Sequence, residues 1–149
     1  MVIYIGADHR GFELKNQLKD WMIFLGHEVV DLGAHELTPM DDYVDFAKAV
    51  AEKVKEEAGN RGIVICGSGA GMDITSNKVN GVRCTVGFNL EQVKAARRDD
   101  NLNVLAIACN FTFLDDAKVL IETFLQTPYD PTDNHARRLE KIKTLENGS

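Results

Sequence analysis

The sequence predicts an α/β fold of the three-layer α/β/α kind, Rossmann-like, with a five-stranded parallel sheet. Three observations predict it. Short apolar runs recur five times, segments with helical spacing stand between them, and glycines or prolines mark several of the joints. A chain of 149 residues suits one domain, and residues 1–149 are read as one.

Each element follows in order. Val2 to Ile5 is a short apolar run, read as a first buried strand. Leu14, Leu18, Trp21, Met22 and Leu25 recur at helical spacing, and Gly26 stops them. His27 to Leu32 is a second strand, followed by a loop through Pro39. Tyr43, Phe46, Ala47, Val50, Ala51 and Val54 form a helical stripe that ends before Gly59. Ile63 to Ile65 is the third strand, then come a glycine-rich turn and a short helix to about Asn77. Val82 to Val86 and Val104 to Ala108 are strands four and five. Leu90, Val93 and Ala96 mark the helix between them, and Phe113, Ala117, Leu120, Ile121 and Phe124 the helix after them. Beyond Pro128 and Pro131, a last helix is expected at about 133–146. Alternation of this kind implies parallel strands covered on both faces, with right-handed crossovers.

Composition narrows the class. Hydrophobic residues make up 44% and charged residues 27%, ordinary for a globular protein. The net charge of −6 gives no support to binding nucleic acid or an anionic membrane, so an anionic ligand needs a local positive pocket. No apolar run approaches the roughly 20 residues that span a bilayer. Cys66, Cys84 and Cys109 are widely spaced and odd in number, which indicates neither a disulfide framework nor a zinc site. A reducing cytoplasm is the expected setting.

In sheets of this type ligands bind beyond the carboxyl ends of the strands. That rule selects the loops 6–11, 33–42 and 66–71 and the chain from Asn110 onward. Cys66-Gly67-Ser68-Gly69-Ala70-Gly71 can turn backbone N–H groups toward a phosphate or an oxyanion; equally, it can be a tight strand–helix joint. It lacks the Gly-Lys-Ser/Thr of a P-loop. Cys66, placed where a helix begins, is a candidate base or nucleophile, whereas Cys84 and Cys109 suit the part of small buried hydrophobes. Asp8-His9-Arg10-Gly11 puts an acid, an imidazole and a guanidinium on one loop. Asp8 capping a helix, with His9 and Arg10 solvated, is the plainer account. His135 and Arg138 share a helical face, as a phosphate clamp or a solvated surface. His27 and His35 show no metal-ligand spacing.

Together these residues resemble the ribose-5-phosphate isomerase B and galactose-6-phosphate isomerase family. The resemblance runs from Gly6-Ala7-Asp8-His9-Arg10-Gly11 to His135-Ala136-Arg137-Arg138-Leu139-Glu140-Lys141-Ile142. Its most specific stretch is Cys66 to Met72, continuing into Asn77-Lys78-Val79 and Gly81-Val82-Arg83; Asp42-Tyr43 and Asn103-Val104-Leu105-Ala106 also match. It implies aldose–ketose isomerisation of ribose 5-phosphate through an enediolate, with no metal and no cofactor. It also implies a dimer or tetramer whose sites use residues of two subunits, the terminal helix contributing to the interface. Cys66 is the implied base, and Ser68 passes a proton between the two sugar oxygens. Gly67, Gly69 and Gly71 cradle the enediolate. Asp8 and Tyr43 contact hydroxyls, and His9, His135 and Arg138 contact the phosphate.

Three departures stand out. Asp99-Asp100 replace a ring-opening histidine and an asparagine, so Asp99 is the expected ring-opening residue and Asp100 a substrate contact. Asn110 and Asn134 replace two arginines. Some members use a glutamate base near Met72; here Asp73 lies one place along and is the reserve candidate. The missing cations predict a weaker preference for phosphorylated over free sugars than in relatives with all the arginines. They leave as rivals an isomerase of another sugar phosphate or a free sugar, and a non-catalytic binder of sugar phosphates.

Overall fold

In a computed structural model, residues 1–148 are described. Eleven elements follow the expected alternation: β1 (Val2–Ala7), α1 (Phe12–Phe24), β2 (Glu28–Asp31), α2 (Tyr43–Val54), β3 (Arg61–Cys66), α3 (Ala70–Ser76), β4 (Cys84–Val86), α4 (Leu90–Asp100), β5 (Val104–Ala108), α5 (Leu114–Gln126) and α6 (Asp133–Glu146). The five strands make one parallel sheet in the order β2-β1-β3-β5-β4. The three-layer α/β/α sandwich read from the sequence is the fold observed.

Burial explains why the strands read as they do. β1, β3 and β5 are central and covered on both faces, so their sequences are continuous apolar runs. Ile3, Ile5, Ile63, Ile65, Leu105 and Ile107 pack on one face with Leu18 and Met22 of α1, Val93 of α4 and Ile121 and Phe124 of α5. Val64, Cys66, Val104 and Ala106 pack on the other with Ala47, Val50, Ala51 and Val54 of α2 and Met72 of α3. A buried side chain of this size is worth about 1.5–3 kcal/mol relative to exposure. α6 buries no residue. It touches the body at both ends, through His135 beside Asp99 of α4 and through Glu146, whose Oε1 accepts from Gly81 N at 2.9 Å.

Strand four is shorter than expected. Val82 N still closes a turn onto Val79 O, and Gly81 has φ +87°. Arg83 N donates to the Asn103 side chain at 2.7 Å rather than to a ladder. Pairing therefore begins only at Cys84.

Lys15 is fully buried on α1, an uncommon place for an ammonium. Its Nζ donates to Asp31 Oδ1 and Oδ2 at 2.9 and 3.1 Å and also to Ala34 O. The pair clamps α1 to the end of β2 and to the start of the loop that leads to Tyr43. Burial acts to raise the Asp31 carboxyl, but hydrogen bonds from Gly33 N and Lys15 prevail and hold it below its ordinary value. Stability from this group is therefore present at neutral pH and is lost as pH falls through the lowered value. Asp31→Asn leaves the ammonium buried without its counter-charge. It should cost about 3 kcal/mol or more in urea unfolding; a change below about 1 kcal/mol would show that the pair is dispensable.

Candidate active site

Alternation along β3 sets the position of Cys66. Ile63 and Ile65 face α1, so Val64 and Cys66 face α2 and α3. Cys66 is the last residue of the strand, 4% exposed, and three residues separate it from the start of α3. Gly69 turns the chain with φ +76°, a conformation that suits glycine. Among the described residues, the N–H groups of Gly67, Ser68, Gly69 and Gly71 donate to no partner. Such groups are free to receive an oxyanion. Ser68 is exposed, and its Oγ accepts from Ala70 N at 3.2 Å.

Neighbouring strand ends supply the walls. Asp8, just past β1, is 4% exposed. Its Oδ1 accepts from Arg10 N and Gly11 N at 3.0 and 3.1 Å, while its Oδ2 takes no hydrogen bond among the described residues. Asp8 therefore does not cap α1, whose N-cap is Gly11 without a side-chain bond; it closes the turn that leads into the helix, and one oxygen remains for a ligand. His9 donates twice to Asp41 Oδ1, through its backbone N and through Nδ1, each at 2.8 Å. This fixes the ring and leaves Nε2 unengaged. Tyr43 opens α2, and its ring lies over Gly71. A Cβ on Gly71 would stand 2.6 Å from Tyr43 Cε2 and Cζ, so only glycine permits the approach. Asp8, His9, Arg10, Asp41, Tyr43 and Cys66, with Gly67, Ser68 and Gly71, line one cleft of about 450 Å³.

The other cysteines differ. Burial, then the Asp73 carboxylate, push the Cys84 thiol well above its usual value. Burial, then Asp8 and Cys66, push Cys109 up. Each is partly buried and packs against the core, in keeping with the part of a small hydrophobe. Asp73 is turned from the cleft: its Oδ1 accepts from Asn77 Nδ2 at 2.7 Å, and it stands beside Cys84. It does not line the space at Cys66.

The remaining predicted residues form a second group, at the end of α4 and the start of α6. The Arg98 guanidinium bonds Asp99 through Nε and Nη2 at 2.6 and 3.1 Å. It holds the Asp99 carboxyl below the usual carboxylate range. His135 Nε2 lies 3.5 Å from Asp99 Oδ1, and its Nδ1 donates to Asp130 O at 2.8 Å. Arg138 adds positive potential at Asp99. Asp100 is exposed beside a groove of about 650 Å³ between α4, β4 and α6. Neither Asp99, Asp100, His135 nor Arg138 lines the cleft at Cys66. Arg137 turns to Asn134 Oδ1 at 3.2 Å.

Asp41 is a site residue that the sequence reading passed over. Its only signal was an acid on a ligand-side loop directly before Asp42-Tyr43. Ligand atoms of Asp8, His9 and Asp41 lie within 4.8 Å of one another, a set that could hold a cation. Both Oδ1 atoms and the His9 Nδ1 are already engaged in hydrogen bonds, which accounts for the cluster without one.

The sequence pattern of the Ribose/Galactose Isomerase family matches residues 3–142. A ribose-5-phosphate isomerase B from Mycobacterium tuberculosis is 34% identical over 146 residues, 98% of this chain and 90% of that protein. A putative sugar phosphate isomerase from Bacillus subtilis is 35% identical, covering 98% and 97%. Among solved structures, ribose-5-phosphate isomerase B from Mycoplasma genitalium with bound ribulose-5-phosphate superposes with a TM-score of 0.94 at 34% identity, covering 99% and 97% of the two chains. The Clostridium thermocellum enzyme gives 0.93 at 39% identity, covering 99% of each. With a matching pattern over nearly its whole length and relatives of the same fold and size, this chain belongs to the ribose/galactose isomerase family.

Proposed function

We propose that the protein interconverts ribose 5-phosphate and ribulose 5-phosphate, with Cys66 as the base. One observation carries this reading. A buried thiol at the end of a central strand lines the same cleft as a loop of unpartnered N–H groups and as Asp8, His9 and Tyr43. The substrate class comes from the relatives, one of which holds ribulose-5-phosphate.

The steps balance as follows. Cys66 Sγ takes the proton from C2 of the open-chain aldose, and the electron pair moves to O1. The N–H groups of Gly67, Ser68, Gly69 and Gly71 receive the resulting enediolate oxygen. Ser68 passes the O2 proton to O1. Cys66 then returns its proton to C1, leaving a ketone at C2. Asp8 and Tyr43 hold hydroxyls, and His9 holds the phosphate end. No step calls on a metal or an organic cofactor.

Asp99 is assigned to ring opening. An aspartate is ionised near neutral pH, and Arg98 lowers its carboxyl further, so it acts first as a base. It takes the O1 hydroxyl proton of the cyclic sugar and passes it to the ring oxygen, which lies on the same carbon. His135 and Arg138 beside it suit the phosphate. Because this group does not share the cleft of Cys66, a second copy of the chain is assigned to bring it there. α6, which carries His135 and Arg138 and buries nothing of its own, suits such an interface, with Ile142 and Leu145 exposed at 41% and 75%.

Cys66→Ala should lower deuterium exchange at C2 of ribose 5-phosphate by about 10²–10⁴-fold while the fold stays intact. Undiminished exchange would remove Cys66 from the role, and absence of exchange in the wild type on any aldose phosphate would leave only a binding protein. Asp99→Asn should slow turnover of cyclic ribose 5-phosphate and spare a sugar phosphate that cannot cyclise. Equal slowing of both would reject the ring-opening role.

A further inference from the structure

Of the chain's seven arginines, Arg61, Arg83, Arg97, Arg98 and Arg137 place their guanidinium groups in hydrogen bonds. Among the described residues, the guanidinium groups of Arg10 and Arg138 make none. Arg138 lies in the group at α4 and α6. Arg10 lines the cleft at Cys66.

An unpaired arginine on a loop is ordinary, but the placement of this one is not. A Cβ built on Gly67 would lie 2.8 Å from Arg10 Nη1 and 2.9 Å from Arg10 Cδ. Asn110 Nδ2 lies 2.9 Å from the same point. Two side-chain donors from different strand ends thus converge on one glycine whose own N–H is unpaired. Only the absence of a side chain at Gly67 lets them do so. No carboxylate accepts from the Arg10 guanidinium, although two stand in the cleft. Asp8 Oδ1 is taken by the backbone of Arg10 and Gly11 and Asp41 Oδ1 by His9, while the second oxygen of each acid, though unbonded among the described residues, does not reach the guanidinium. The guanidinium, the Asn110 Nδ2 and the Gly67 N–H form a donor set with one positive charge, and no carboxylate is bonded to it. A phosphate monoester fits such a set, since it brings several acceptor oxygens and negative charge.

We propose that Arg10 supplies the cationic phosphate contact of this cleft, at the place where Asn110 leaves the strand-five side neutral. This rests on the cleft being a sugar-phosphate site. It reverses the weaker preference for phosphate expected from Asn110 and Asn134, because the charge enters from the loop after β1 instead of from the loop after β5.

The test is binding of inorganic phosphate to the full-length protein by titration calorimetry at fixed ionic strength, with thermal melting to check the fold of each variant. Arg10→Gln should weaken phosphate binding roughly tenfold or more, and Arg10→Lys by less, since a lysine keeps the charge but loses the fork. Adding Asn110→Arg to Arg10→Gln should restore binding, because the new guanidinium starts beside the same glycine. Equal binding by wild type and Arg10→Gln overturns the proposal. So does a wild type that binds no phosphate, or failure of Asn110→Arg to restore it. Carbon-2 exchange is measured separately: a wild type that binds phosphate through Arg10 but exchanges no C2 proton refutes the isomerase reading and leaves the anion site standing.

Discussion

The hydrogen-bond ladder of β1, β3 and β5 continues past the ends of the strands, and every other feature of the cleft depends on that continuation. Asp8 N donates to Ile65 O at 3.3 Å, Cys109 N to Cys66 O at 2.9 Å and Asn110 N to Gly67 O at 3.0 Å. These bonds hold Asp8 level with Cys66 and carry Asn110 past the end of β5 to Gly67. Parallel pairing makes this possible, because all three chains leave the sheet on the same side. Gly67 then bends away with no side chain, and the space it leaves is occupied from both sides. A side chain there would push the loops after β1 and β5 apart.

A second constraint sets the far wall. Lys15 carries a charge into the core because Asp31 and the Ala34 carbonyl receive it there. Such a pair adds little net stability over an apolar contact, yet it is costly to break. It anchors the segment after β2, which goes on to place Asp41 against His9 and Tyr43 over Gly71. The imidazole is thus aimed by a carboxylate that is itself carried on a loop fixed at its start.

Much of the fold was legible because periodicity reports burial. The stripe Ala47, Val50, Ala51 and Val54 faces the core, and the run Ile63 to Ile65 is a strand buried on both faces. Strand four was less legible: Val82 is buried through a turn, and apolar character alone does not separate a buried turn from a strand. In the cleft, Asp8, Cys66 and the glycines could be found because chemistry-bearing types followed strand ends. Asp41 could not, because its part is to orient His9 across 32 positions of sequence. Arg10 was visible as a charge but not as an unpartnered one, since pairing is a property of the folded surroundings. The separation of Asp99, His135 and Arg138 from Cys66 was likewise beyond reach of spacing, because it depends on where α4 and α6 pack.

That separation joins fold to function. On the proposed reading, the strand-end cleft with Cys66 serves proton transfer, and the group of Asp99, His135 and Arg138 at α4 and α6 serves ring opening and adds to phosphate binding. In a symmetric dimer each copy would offer both, and each complete site would combine one half from either chain. The most direct measurement mixes two inactive proteins, Cys66→Ala and the double variant His135→Ala, Arg138→Ala, under conditions where subunits exchange. Hybrids should form one intact site and recover roughly a quarter of wild-type activity in a freely exchanging dimer. Recovery of no activity, with hybrids shown to be present, would mean that each chain completes its own site, and would contradict the account.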